Sequence, residues 1–149
     1  MKPTCAQMAS LSFLNNGGMR REHAEHNEAL CCHLLSQGGF NDWVITTAFY
    51  GAMHFVYHQC FPLKIGNNTY QDFNEFYHRE GRTRYGRTLS KHEVTLKLVY
   101  EQLPAVGAAY RGLYDMCFKA RYKNYKISDA EARAALERLL MIKKACSKR

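Results

Sequence analysis

Apolar positions along the chain recur mainly at three- and four-residue intervals, separated by short polar or glycine-containing gaps. That period predicts helices rather than strands. A first helix is predicted from about Arg20 to Gln37, stopped by Gly38-Gly39, because glycine adopts the left-handed backbone that ends a helix. Its inward stripe reads as His23, Asn27, Leu30, Leu34 and Leu35. Asn41 or Asp42 then caps a second helix that reaches about Cys60 before Pro62 ends it. The segment WVITTAFYGAMHFVYHQCF is apolar almost all round, which puts it at the centre of a bundle.

From Pro62 to Ser90 the pattern is least regular, and it reads as a loop with a short helix over about Tyr70–His78. Ser90-Lys-His-Glu93 and Ser128-Asp-Ala-Glu131 are both capping boxes, in which a serine oxygen accepts a main-chain N–H and the glutamate returns one. The first opens a third helix ending before Pro104, and a fourth is predicted from about Ala105 to Tyr122. The second box opens a fifth helix to about Ala145, with Ala132, Ala135, Leu136, Leu139 and Ile142 at helical spacing. The predicted fold class is all-α, an antiparallel bundle of four to five helices over residues 20–149, behind an N-terminal extension of residues 1–19.

Composition agrees with one such unit. The 149 residues are 46% hydrophobic with only 3 prolines, enough to bury a core. No apolar run approaches the roughly 20 residues of a membrane span, and Met1–Leu14 makes a poor secretory signal. A soluble, cytoplasmic domain is expected, without a membrane partner. The 6 cysteines contain no C-x-x-C pair, and Cys31 and Cys32 are adjacent. They read as small apolar residues in a reducing compartment rather than as a disulfide framework.

Charge changes the picture more. Up to Glu75 there are 4 basic and 6 acidic residues, whereas from Phe76 onward 17 basic residues meet 7 acidic ones. Such asymmetry points to a polyanion, with RNA or DNA the leading candidate, or more blandly to a solubilising surface. Arg79, Arg82, Arg84 and Arg87 fall close together with Tyr77 and Tyr85 among them, and Lys119, Arg121, Lys123 and Lys126 interleave with Tyr122 and Tyr125. Cations neutralise phosphates while tyrosine rings stack on unpaired bases, so the mixture suits single-stranded nucleic acid. His23 with His26 and His54 with His58 are spaced one turn apart. Such pairs can hold a divalent metal inside a bundle, but more often serve packing, and no metal or other cofactor is expected. Signatures of a nucleophilic serine, a zinc protease, a phosphate-binding loop or a dinucleotide fold are absent from the sequence.

Several phrases together resemble the HEPN (higher eukaryotes and prokaryotes nucleotide-binding) superfamily. They are Asp42-Trp43, Phe49-Tyr50-Gly-Ala-Met-His54, Ser90-Lys-His92, Tyr110-Arg111-Gly-Leu-Tyr114 and Lys119-Ala-Arg121-Tyr122, in order over most of the chain. The resemblance implies a helical bundle, usually a homodimer, in a prokaryotic defence or toxin–antitoxin setting. Its members include metal-independent ribonucleases whose R-x4–6-H signature supplies a histidine for acid/base work and an arginine for phosphate charge. Others bind RNA or nucleotide without cutting, or pair with a nucleotidyltransferase or a larger defence complex. Here no histidine follows Arg121, where the superfamily motif normally lies, although Arg87-Thr-Leu-Ser-Lys-His92 has the spacing at a different place. The expectation is therefore a catalytically reduced RNA- or nucleotide-binding module using Arg79, Arg82, Arg84, Lys119, Arg121, Tyr122, Lys123 and Tyr125. The alternatives are an endoribonuclease using Arg87 and His92, and a non-catalytic assembly subunit.

Overall fold

The computed structural model describes residues 16–147, as an all-α bundle with one small hairpin. The first two helices, α1 (Asn16–Gln37) and α2 (Asn41–Cys60), form an antiparallel pair joined across Gly38 and Gly39, both at positive φ. Small residues let them approach closely: a Cβ built on Gly51 would lie 3.5 Å from the Ala24 carbonyl, and the Cys31 thiol donates to the Val44 carbonyl at 3.4 Å. The inward stripe of α1 is thus Ala24 and Cys31, flanked by half-buried Asn27, Leu34 and Leu35, while His23 and Leu30 are exposed. The expected stripe was displaced because the centre of this contact takes small side chains rather than leucines. The expected extension over 1–19 lies outside the described residues, except where α1 begins at Asn16.

Helix α2 is the hub, as its nearly continuous apolar sequence implies. Val44 to Phe49 are buried without a break, as are Gly51, Ala52, Phe55 and Val56. After Phe61 and a cis peptide to Pro62 come β1 (Leu63–Ile65) and β2 (Asn68–Tyr70), an antiparallel pair turning at Gly66, φ 58°. Asp72 then caps α3 (Phe73–Phe76) by accepting from Glu75 N at 2.9 Å. The helix continues through a π-turn (Tyr77–Gly81) into α4 (Arg82–Tyr85). The expected helix near Tyr70–His78 therefore starts later and runs further, because Tyr70 is a buried strand residue and Asp72 supplies the cap. Aromatic packing holds this insert, with Tyr57 and Phe73 stacked at 4.6 Å.

Both capping boxes form. Ser90 starts α5 (Lys91–Gln102), and a 3-10 turn (Pro104–Val106) leads into α6 (Gly107–Tyr122), two residues later than expected. Ser128 starts α7 (Asp129–Ala145), whose Ala132, Ala135, Leu139 and Ile142 are fully buried. Asn41 at the start of α2 donates to the Ile127 carbonyl at 2.9 Å and to Asp129 at 2.8 Å, so α2 and α7 begin side by side. Among the described residues the five cysteines are free, and no helix is long and apolar enough to cross a membrane.

Candidate nucleic-acid cleft

Three helices meet where the candidate chemistry gathers. The Ser90 box fixes the first turn of α5 and so places His92, its second residue. Helix α6 presents Tyr114, Cys117, Phe118 and Arg121 at three- and four-residue spacing along one stripe, and α2 contributes Phe49 and Tyr50. Together with Ser90 and Tyr122 they line a cleft of about 260 Å³. Arg121 Nη1 donates to the Tyr50 hydroxyl at 2.9 Å, which ties the end of α6 to the middle of α2. The His92 ring lies edge-on to Phe49 at 5.4 Å, with Tyr50 at 6.1 Å and Tyr114 at 6.5 Å.

Electrostatics in the cleft are lopsided. Burial holds the His92 pKa below the ordinary imidazole value, and the Arg121 charge pushes it the same way. His92 is therefore neutral at pH 7, and its Nδ1 is buried with no hydrogen-bond partner in the described structure. A fixed guanidinium, a neutral imidazole and several aromatic faces share one opening. The first suits a phosphate, the second a proton acceptor or a hydrogen bond to a ligand, and the third an unpaired base.

The other sequence candidates divide. Arg87 is exposed on the loop before α5 and does not line the cleft that holds His92. Arg84 is held by Glu101 and Glu80, and Arg79 by Glu75. Arg82 sits 5.7 Å over the Tyr77 ring, much as Arg121 sits 5.4 Å over that of Tyr122, so in the arginine-rich insert it is Arg79 and Arg84 that their own carboxylates occupy. Lys119 pairs with Glu131 at 2.9 Å. Arg121 and Tyr122 reach the cleft, and Lys123 and Tyr125 lie exposed just beyond it. Tyr50, Tyr114 and Phe118 were missed as site residues, although the spacing of Tyr114, Phe118 and Arg121 on one predicted helix was a readable sign. Of the histidine pairs, His23 and His54 do meet, their rings stacked at 3.8 Å, but no group of three metal-ligating side chains occurs among the described residues.

No protein-family model, curated protein or solved structure matches the chain.

Proposed function

We propose that the chain binds single-stranded RNA in this cleft, with a phosphate on Arg121 and a base against the rings of Tyr122 and Phe118. The observation that carries the reading is the convergence of Arg121, held by Tyr50, with His92 and the rings of Tyr114, Phe118 and Tyr122 in one opening. A guanidinium fixed by a neutral phenol keeps its whole charge for a ligand, unlike Arg84 or Lys119. The likeness to HEPN proteins points the same way. Arg121→Gln should weaken binding of a labelled single-stranded RNA about tenfold at moderate salt and lower the salt slope by about 0.7, the share of one phosphate contact. Unchanged affinity and slope would remove Arg121, and with it the cleft, from RNA recognition.

A second reading is favoured by the neutrality of His92: a neutral imidazole beside an arginine is equipped to take the proton of a 2′-hydroxyl while the guanidinium balances phosphate charge. The pair would be Arg121 with His92, rather than Arg87 with His92. Cleavage of RNA that persists in EDTA and vanishes in His92→Ala, with binding retained, would establish it. Intact RNA in both samples would leave the binding module.

A further inference from the structure

We infer that the strand bound in the cleft continues beyond Arg121 onto a second stacking platform made by Trp43 and Tyr125, so that the protein takes a single-stranded segment of several nucleotides. The inference rests on the RNA reading above and extends it to the length of the ligand.

Trp43 and Tyr125 both lie at the N-terminal end of α2, the helix whose middle supplies Phe49 and Tyr50 to the cleft. Trp43 precedes Tyr50 by seven residues on α2, which puts it on the same helix face two turns nearer the N-terminus. That end of α2 is tied to the segment following α6 by the two hydrogen bonds of Asn41 to Ile127 and Asp129. Tyr125 and Lys126 close over the same corner, lining a shallow depression with Gly39, Asn41 and Asp42. The chain thus carries Tyr122 at the cleft and Tyr125 three residues further on, beside the start of α2.

The rings here are unusually open. Trp43 is 57% exposed at the end of a helix whose next six residues are buried, Tyr122 is 66% exposed and Tyr125 68%. Each of the three rings is left largely uncovered, as a ring that stacks on an unpaired base must be. The charges around them say what kind. Among the described residues Lys123 and Lys126 have no carboxylate partner, whereas Lys119, one turn back, is paired with Glu131. Arg121-Tyr122-Lys123-Asn124-Tyr125-Lys126 interleaves three cations with two rings, the combination of charge and stacking faces that suits a single strand. Asp129, which accepts a hydrogen bond from the uncharged Asn41 amide, and Asp42 are the carboxylates at this corner, against the cations Arg121, Lys123 and Lys126. A mainly cationic, ring-studded surface fits a flexible polyanion with flat bases better than an apolar protein face.

Trp43 is the single tryptophan of the chain, so its emission reports on the platform alone. The test titrates the whole protein with a mixed-sequence single-stranded RNA octamer and, separately, with a dinucleotide, following Trp43 emission and the anisotropy of an end label. The octamer should quench the emission with the same half-saturation as its anisotropy, and the dinucleotide should bind without quenching. Trp43→Ala should cost the octamer about tenfold in affinity and the dinucleotide nothing, within the range of one lost stacking contact. Tyr125→Ala, outside any helix, repeats the test should Trp43→Ala disturb α2. An octamer that binds with unchanged Trp43 emission overturns the platform and leaves the cleft. If neither RNA binds, the cleft reading and the platform fall together. If emission depends on protein concentration and ignores RNA, a second copy of the chain covers these rings and the inference is wrong.

Discussion

The stacked histidines between α1 and α2 give a stability test with a worked magnitude. The rings of His23 and His54 lie 3.8 Å apart and 23° from parallel. The His54 pKa is lowered from 6.5 to about 4, first by burial and then by His23. A folded-state value below the unfolded one means that the unfolded chain binds more protons between about pH 4 and 6.5, so stability rises with pH through that window and is complete above it. Between about pH 7 and 5 the full difference corresponds to roughly 2 kcal/mol. The ring is only half-buried, and solvent screening reduces this to about 1 kcal/mol, or about 2–4 °C in Tm for a chain of this size. Thermal unfolding of wild type and His54→Gln at both pH values isolates the contribution, since His92 shifts in the same direction and stays in both proteins. Glu131, at about 2, and Glu93 are lowered carboxylates whose stabilisation is lost only as pH falls below the ordinary carboxylate value, largely under the histidine window. An equal Tm loss in both proteins, or an NMR titration of the His54 ring near 6.5, would refute the reasoning.

Other perturbations separate the packing from the cleft. Leu139→Ala removes a fully buried side chain that meets Gly51 of α2; urea unfolding should show a loss of about 3 kcal/mol. Gly81→Ala should destabilise by about 1–3 kcal/mol, because the added methyl meets Val94 Cγ1 at 2.9 Å and Phe76 at 3.1 Å, both buried. Gly107→Ala faces a shorter distance, 2.6 Å to the Tyr100 ring, but that ring is exposed and can swing aside. Its melting temperature should therefore fall less than that of Gly81→Ala. Tyr50→Phe deletes the acceptor of Arg121 Nη1 without altering ring packing, and RNA affinity measured by anisotropy should drop about three- to tenfold; full affinity would show that Arg121 needs no support.

Local signals carried most of the fold. Gly38-Gly39, Pro62 and Pro104 sit where elements stop, and both serine–glutamate boxes close as their spacing demands, because caps depend on four consecutive residues. The hairpin was not legible: each strand has three residues, too few to show alternation, and the turn announces itself only through Gly66. The continuation of α3 through Gly81 was hidden for the opposite reason. Glycine reads as a breaker, yet here it lies against Val94 where a side chain has no room. The cleft was half visible. Arg121, Tyr122 and His92 stood out by type, but His92 seemed to belong with Arg87, five positions earlier. Its actual neighbour, Arg121, comes from α6 through packing on α2, and sequence distance says nothing of that. Likewise the carboxylates that occupy Arg84 and Lys119 come from other helices.

Because the Arg121 charge is one of the two influences that keep His92 neutral, an anion settling on Arg121 makes the imidazole easier to protonate. Uptake of the anion then draws in part of a proton, and reciprocity requires that acid tighten anion binding in turn. Calorimetry of sulfate binding in two buffers of different ionisation heat, between about pH 5 and 7, measures that uptake directly. A heat independent of buffer would mean that the two side chains do not sense each other. The cleft would otherwise act as a co-receptor for anions and protons, its grip set by the acidity of its surroundings as well as by its ligand.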